Sequence, residues 1–170
     1  MMPAIRPSTT AECPEATHEA VWTGPWGGLR LRGSAHAITG ARFDSTWASA
    51  ASAAAAGQPA PALPAPWTGC APIPLVVSGT AFRVRVWQAL ATLVCGELVS
   101  YRELAARIDH PRAVRAVASA VAANPIPLLI PCHRVIRSDG RYGDYVGGSA
   151  RKHLLIEWEK TSICPATTPQ

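Results

Sequence analysis

The sequence predicts an α/β fold in which a small strand-containing region precedes a mainly helical region with a helix-turn-helix. Three observations lead to this prediction. Residues 26–43 alternate apolar and polar side chains between glycines, which is typical of a β-hairpin. After residue 79, apolar residues recur at steps of three and four, as on amphipathic helices. A capping box at residues 100–103 then predicts the start of a short helix.

Length and composition limit the class of protein. The 170 residues, 48% of them hydrophobic, suffice for one ordinary domain or two small ones. No apolar run approaches the ~18 residues of a membrane span, and three glutamates among the first twenty residues exclude a signal peptide, so no membrane association is expected. The five cysteines are widely spaced without a Cys-x-x-Cys pair, which predicts thiols in a reducing cytoplasm and no structural metal.

Four segments are predicted along the chain. Residues 1–20 lack apolar periodicity and hold several prolines, so we expect a loose arm. Residues 21–76 form a small domain that contains the hairpin and an Ala/Pro-rich stretch, in which prolines prevent more than a short helix. Residues 77–160 form the second domain, and residues 161–170 a disordered tail.

The positive charge is confined to one half of the chain. Residues 1–76 hold four arginines and four acidic residues, whereas residues 77–160 hold twelve Lys and Arg against seven acidic residues. Such a local excess is typical of a phosphate-binding surface. Proteins that bind no nucleic acid also carry excesses of this size, so the pattern alone decides nothing.

Two short helices joined by a tight turn are predicted in the basic half. Ser100 and Glu103 have the capping-box spacing, so one helix should run from Tyr101 to about Ile108. A turn at residues 109–111 leads into a second helix from Arg112 to about Ala123. This arrangement is that of a helix-turn-helix, or of an ordinary helical hairpin.

The second helix has two unlike sides at about 100° per residue. The apolar side, which should face the core, carries Val114, Val117, Ala118 and Val121. The other side is cationic and otherwise small, so it can approach a nucleic-acid backbone closely, although solvated arginines are the simpler alternative. Its residues are Arg112, Arg115, Ala116, Ser119, Ala122 and Ala123.

The candidate reactive residues follow a rigid apolar segment with three prolines at residues 124–131. Cys132, His133 and Arg134 then offer a thiol, an imidazole and a guanidinium in succession. Such neighbours lower the pKa of a thiol and make Cys132 with His133 a candidate nucleophile and base. A buried cysteine beside a surface histidine is the alternative. Metal binding is not indicated, because no second ligand pair is visible.

The segment Pro131-Cys132-His133-Arg134 resembles the signature of the O6-alkylguanine-DNA alkyltransferases, also called methylated-DNA-protein-cysteine methyltransferases. Further segments match that family in the same order and cover about residues 77–160. They are Gly79-Thr-Ala-Phe82 with Val86-Trp87, Gly96-Glu-Leu-Val-Ser-Tyr101, Arg115-Ala-Val117, Asn124-Pro125, Gly143-Asp-Tyr145, Gly147-Gly148 and Arg151-Lys152.

The resemblance implies a monomeric DNA repair protein without a cofactor. Its partner would be double-stranded DNA containing O6-alkylguanine, which it would flip out of the helix before moving the alkyl group irreversibly onto its own cysteine. Acceptance of O4-alkylthymine is left open. The resemblance also implies a small ribonuclease-H-like α/β domain before residue 77, of which only the hairpin is recognisable.

The resemblance assigns catalytic roles to matching positions. Cys132 would accept the alkyl group, and His133 would remove the thiol proton through a water. Glu159 would orient His133, since the family places this glutamate 27 residues after the cysteine. Glu157 is a competitor, but two residues turn a helix by roughly 200°, so both cannot face the site. Asn124 would stabilise the turn after the second helix.

It also assigns the contacts with DNA and with the base. Tyr101 would crowd the target phosphate and hydrogen-bond the flipped base, and Arg115 would enter the base stack. Arg134 is predicted to join the DNA-binding residues of the second helix. The base pocket would be lined by backbone groups of Cys132, Val135 and Val146, with Tyr145 as a wall.

Two other functions remain open at this stage. A binding-only alkyltransferase-like protein would recognise the lesion without accepting the group, but relatives of that kind lack the cysteine. A hydrolase with a Cys-His-Glu triad would use the same three side chains. That function leaves the helix-turn-helix unexplained.

Overall fold

The computed structural model of the chain describes residues 4–8, 16–44 and 74–161. Within these ranges a five-stranded sheet precedes a mainly helical region, so the predicted α/β class is confirmed. A tail was predicted for residues 161–170, but Thr161 belongs to the last helix. The rest of that segment and the Ala/Pro-rich stretch lie outside the described residues.

The sheet combines an antiparallel meander with two parallel strands. Its strands are β1 (Ala4–Ser8), β2 (His18–Gly24), β3 (Gly27–Ser34), β4 (Ala37–Phe43) and β5 (Pro74–Ser78). They lie in the order β1-β5-β4-β3-β2, with β5 parallel to both β1 and β4. The antiparallel pair of β3 and β4 is the predicted hairpin.

The prediction of a loose arm over residues 1–20 is wrong for β1 and for residues 18–20, which begin β2. Strand β1 pairs with β5 from a distant part of the sequence, with Ile5 opposite Leu75. This pairing uses backbone groups, so it leaves little local pattern to find. The predicted boundary after residue 76 also falls inside β5, which belongs to the sheet.

The hairpin forms because its side chains alternate between core and solvent. Leu29 and Leu31 of β3 are fully buried, whereas Arg30 and Arg32 are exposed on the outer face. Each buried leucine contributes about 1.5–3 kcal/mol relative to an exposed one. A register shift between Arg32 and Gly33 marks a β-bulge.

The second region consists of four helices and a two-stranded parallel pair. Its elements are α1 (Ala81–Ala91), β6 (Val99–Ser100), α2 (Tyr101–Arg107), α3 (Val114–Ala122), a 3₁₀ turn (Cys132–Arg134), β7 (Val135–Ile136) and α4 (Ser149–Thr161). The predicted capping box is present, since Glu103 N donates to Ser100 Oγ at 3.1 Å and Ser100 N to Glu103 Oε2 at 2.6 Å. No helix in the described ranges is long and apolar enough to cross a membrane.

Helix α3 begins later than predicted. The amide of Ala113 donates to His110 O at 2.9 Å and closes a turn around residues 111 and 112. Arg112 therefore lies in this turn and not on α3, which begins at Val114.

Two sets of contacts join the sheet to the helical region. Arg151 of α4 donates to three backbone carbonyls, those of Trp26 at 2.9 Å, Gly147 at 3.0 Å and Asp44 at 3.2 Å. Strand β4 pairs with β5 at Ile38. Further along β4, the amide of Ala41 donates instead to Pro125 O at 2.9 Å. The sheet thus supports the turn that follows α3.

The prediction that all cysteines are thiols is wrong for Cys95, which is disulfide-bonded. The spacing of the cysteines could not predict this bond, because folding decides which distant positions meet. Cys132 is a free thiol.

Candidate active site

Cys132 is held in place from the end of α3. It lies in the 3₁₀ turn and is only 3% exposed. Asn124, two residues after the end of α3, donates from Nδ2 to Cys132 Sγ at 3.0 Å and to Ile130 O at 2.8 Å. Its Oδ1 accepts from Ile126 N at 3.0 Å. The buried amide therefore ties both ends of the proline-rich segment to the thiol.

The next residue belongs to a buried charge network. His133 Nε2 lies 2.9 Å from Glu159 Oε1, and Arg134 Nη2 donates to the same oxygen at 2.7 Å. Because an ionised carboxylate can only accept, Nε2 carries the proton in this contact. The other ring nitrogen, Nδ1, then has a lone pair. It is buried and has no hydrogen-bond partner among the described residues.

The structure brings Glu159, and not Glu157, to His133. The Glu157 side chain is half exposed, accepting from Lys160 Nζ at 2.8 Å and from Tyr142 OH at 3.3 Å. The two glutamates point in different directions because two residues turn a helix by roughly 200°.

Burial sets the charge of each group. It raises the pKa of Cys132 to about 11, although the Asn124 hydrogen bond and the Lys152 charge act in the opposite direction. The expectation of a lowered thiol pKa is therefore wrong, because the effect of burial is larger than that of the neighbours. Burial also lowers the pKa of His133, against the effect of Glu159, so the imidazole is neutral at pH 7.

Glu159 remains ionised despite its burial. Burial raises its pKa, but the hydrogen bond from His133 and the hydrogen bonds and charge of Arg134 outweigh this effect and bring the pKa to about 2. The amide of Gly96 also donates to Glu159 Oε2 at 3.1 Å. A permanent carboxylate thus orients the imidazole.

A pocket of about 540 Å³ opens beside the thiol. This volume lies within the range of small-molecule sites, about 300–1,000 Å³. Of the predicted pocket residues, Val135 is absent from the wall, since it is buried in β7 and its carbonyl accepts from Lys152 Nζ at 2.6 Å. The lining residues are Tyr101, Ala118, Val121, Ala122, Cys132, Arg137, Asp144, Tyr145 and Val146.

Helix α3 presents much of the predicted flat cationic face. Its exposed residues include Arg115, Ala116, Ser119 and Ala122, whereas Val117, Ala120 and Val121 are buried. Ala123 departs from the prediction because it ends the helix and packs, partly buried, against the core.

Arg134 also departs from the prediction that it binds DNA. Its guanidinium donates to Glu159 and, through Nη1, to Leu93 O at 2.5 Å, and its side chain is 13% exposed. The donors that a phosphate would need are thus used inside the protein.

Sequence reasoning missed the role of Lys152. Its buried Nζ donates to Val135 O and to Tyr142 O, and burial lowers its pKa to about 8. The signal was available, since Lys152 shares a side of α4 with Leu155, Ile156 and Glu159 at helical spacing. Arg137 and Asp144 of the pocket wall were also missed. Within the described ranges, no group of three or more His, Cys, Asp or Glu could hold a metal ion.

Known proteins resemble this chain in sequence and in fold. Residues 81–161 match the family model described as "6-O-methylguanine DNA methyltransferase, DNA binding domain". The chain is 55% identical over 87 residues to the Escherichia coli "Bifunctional transcriptional activator/DNA repair enzyme Ada", a match that covers 51% of this chain and 25% of that protein. It is 49% identical over 88 residues to the Haemophilus influenzae "Methylated-DNA--protein-cysteine methyltransferase", covering 52% and 49%. The chain thus spans about half or less of these curated relatives.

Solved structures match over a longer part of the chain. Mycobacterium tuberculosis OGT in complex with DNA is 33% identical, with a TM-score of 0.66, and the match covers 85% of this chain and 93% of that one. The M. tuberculosis O6-methylguanine methyltransferase is 32% identical, with a TM-score of 0.68 over 88% and 96%. The chain belongs to the O6-methylguanine-DNA methyltransferase family.

Proposed function

We propose that this protein repairs DNA by moving the alkyl group of O6-alkylguanine onto Cys132, once per molecule. The observation that carries the proposal is a free thiol held by Asn124 at the wall of a base-sized pocket, next to a buried neutral imidazole. The small, cationic face of α3 lies beside the same pocket, since Ala122 of that face lines the pocket together with Ala118 and Val121 of the same helix.

The imidazole would act as the base. At pH 7 the thiol is protonated, because burial raises its pKa to about 11. His133 Nδ1 has a lone pair and would take the thiol proton through a water, while Glu159 holds the protonated Nε2 and stabilises the imidazolium that forms. The thiolate would then exist mainly during the reaction, and the resting protein would keep an unreactive thiol.

The transfer itself is a displacement at the alkyl carbon. Sγ would form a bond to this carbon as the carbon–O6 bond breaks, and the electron pair would go to the guanine. The guanine then takes up a proton and is restored. Tyr101, half-buried in the pocket wall, would hydrogen-bond the base and assist this step. The product at Cys132 is a thioether, which has no good leaving group.

The base must leave the helix to reach the buried thiol, at a cost of a few kcal/mol. Arg115 on the exposed side of α3 would fill the gap in the stack, and its small neighbours would let the helix enter the minor groove. Contacts with phosphates would be largely indifferent to sequence, as a search for damage requires.

Domain roles, oligomeric state and location are proposed together with this function. The sheet would be a reduced ribonuclease-H-like domain, and residues 77–160 the DNA-binding alkyltransferase domain. We propose a monomer in the cytoplasm that acts on double-stranded DNA without a cofactor. Sedimentation of the free protein and of its DNA complex would test the monomeric state.

Stoichiometry tests the proposed function. With excess duplex DNA containing O6-methylguanine, each protein molecule should remove at most one methyl group. The peptide that holds Cys132 should gain the mass of one methyl group, and Cys132→Ala should be inactive. Turnover beyond one equivalent would favour a hydrolase, and DNA binding without a methylated cysteine would favour a binding-only protein.

A further inference from the structure

Three arginines lie together on the outer face of the sheet, away from the thiol. Arg30 and Arg32 belong to β3, and Arg42 of β4 lies directly opposite Arg30. All three are exposed and on the same face, because residues two apart on a strand point to the same side. We call these three residues the arginine cluster.

The cluster is poorly compensated within the protein. Like charges directly opposite each other on neighbouring strands destabilise a sheet. Glu19 of β2, which lines the same pocket as the cluster, places Oε2 3.9 Å from Arg30 Nη1, with both side chains more than half exposed. Such a pair contributes about 0–1 kcal/mol. Within the described ranges, Arg32 and Arg42 form no ion pair.

The backbone makes room for this arrangement. Gly40 lies opposite Arg32, and a Cβ at Gly40 would stand 2.6 Å from Arg32 Nε and 3.2 Å from its Cγ. The Arg32 side chain therefore lies across β4 in space that a Cβ at position 40 would fill.

The cluster lines a pocket of about 450 Å³ whose other wall is the turn after α3. Asn124 and Pro125 form this wall, and Ala41 N donates to Pro125 O at 2.9 Å. The pocket is distinct from the one beside Cys132, but it shares Asn124 with the network that holds the thiol.

We propose that the arginine cluster is a binding site for a phosphate group. Guanidinium groups bind phosphate through paired N–H donors, and three of them around a concave surface can surround one tetrahedral anion. The phosphate comes from a phosphodiester of bound DNA or from a free phosphate compound. This site is separate from the proposed lesion pocket and from α3.

The test compares Arg32→Ala and Arg42→Ala with Arg83→Ala, which removes an exposed arginine of α1 outside the pocket. In the first arm, thermal melting of the full chain is measured in sodium pyrophosphate and in sodium chloride of equal ionic strength. Pyrophosphate should stabilise the wild type and Arg83→Ala more than either cluster variant. Comparing variants removes the general stabilising effect of phosphates.

The second arm measures binding to undamaged duplex DNA at several salt concentrations. If the site takes a DNA phosphate, each cluster variant should lower the slope of log K against log salt by about one relative to Arg83→Ala. A lower slope assigns the phosphate to DNA, whatever pyrophosphate does. An unchanged slope with a lost pyrophosphate effect assigns the site to a free phosphate compound.

The proposal is overturned if both cluster variants behave like Arg83→Ala in both arms, since the arginines would then be ordinary solvated side chains. Failure of the proposed repair function is distinguished by reaction with free O6-benzylguanine. That reaction reports on Cys132 alone and should proceed to one equivalent in every cluster variant.

Discussion

At the scale of single residues, the site depends on one carboxylate that stays ionised while buried. Glu159 receives hydrogen bonds from His133, Arg134 and the backbone of Gly96. Its position fixes the imidazole tautomer and leaves Nδ1 as the basic atom. Glu157, two residues earlier on α4, offers a matched control because it is ion-paired but half exposed.

Glu159→Gln should slow alkyl transfer by about 10- to 100-fold, because a neutral amide cannot stabilise the imidazolium that forms during the reaction. Single-turnover rates with a methylated duplex, measured across pH, would check this effect.

Glu157→Gln should transfer the alkyl group at nearly the wild-type rate and with the same dependence on pH. Melting curves of both variants would separate slow chemistry from loss of folded protein, since breaking a buried ion pair destabilises a fold. If Glu157→Gln were the slower variant, the orienting role would belong to Glu157.

The pH dependence of transfer follows from the same residues. Burial lowers the pKa of His133 below its ordinary value of about 6.5, so the base stays neutral down to that pH. We expect a transfer rate that is level between about pH 8 and 6.5 and declines only at lower pH, as His133 is protonated. Single-turnover rates in mixed buffers of constant ionic strength would measure this. A rate rising tenfold per pH unit would mean that a preformed thiolate reacts.

At the scale of secondary structure elements, α3 takes part in both proposed steps, the binding of DNA and the transfer of the alkyl group. One side of the helix lines the pocket and the core, and the other presents Arg115 among small residues. Arg112, in the preceding turn, is equally exposed but not on the helix.

Arg115→Ala should therefore slow transfer from duplex DNA by about tenfold or more, because flipping costs a few kcal/mol and each 1.4 kcal/mol is a factor of ten. Reaction with free O6-benzylguanine, which needs no flipping, should be unchanged. Arg112→Ala should weaken DNA binding with a smaller effect on transfer. If Arg115→Ala slowed the reaction equally with duplex DNA and with the free base, Arg115 would not be the residue that enters the base stack.

The elements show what a sequence can and cannot predict. The hairpin and the capping box were predicted because their signals lie within a few residues, as between Ser100 and Glu103. The glutamate at the site followed from the family spacing. Strand β1 was missed because its pairing with β5 is non-local. Arg134 was misassigned because Glu159, its partner, lies far from it in the sequence and is brought to it only by folding. The raised pKa of Cys132 was missed because it depends on burial, which a sequence motif does not show.

At the scale of the whole molecule, one side chain connects three separate segments. Arg151 of α4 donates to carbonyls of the turn between β2 and β3, of the chain after β4 and of the loop before α4. Its guanidinium also stacks over the Phe43 ring, 4.4 Å from the centroid. The sheet and the pocket loop are therefore held by the same residue.

Arg151→Met should lower the free energy of unfolding by roughly 3 kcal/mol or more, because buried carbonyls lose charged donors worth about 1.5–3 kcal/mol each. Urea titration would measure this. Arg141→Met is the control, since Arg141 is exposed and paired only locally with Asp139, a kind of contact worth about 0–1 kcal/mol. Equal destabilisation by both changes would show that Arg151 does not hold the segments together.

The hydrogen bond from Ala41 N to Pro125 O links the sheet to the turn beside Cys132, so alkylation of the thiol should be detectable in the sheet. An amide exchanges its hydrogen with water only when its bond opens. The acceptor Pro125 adjoins Asn124, and Asn124 donates to the sulfur that would be alkylated. A new carbon on that sulfur would displace the Asn124 amide, so we expect the exchange rate of the Ala41 amide, in the sheet, to differ between unreacted and alkylated molecules.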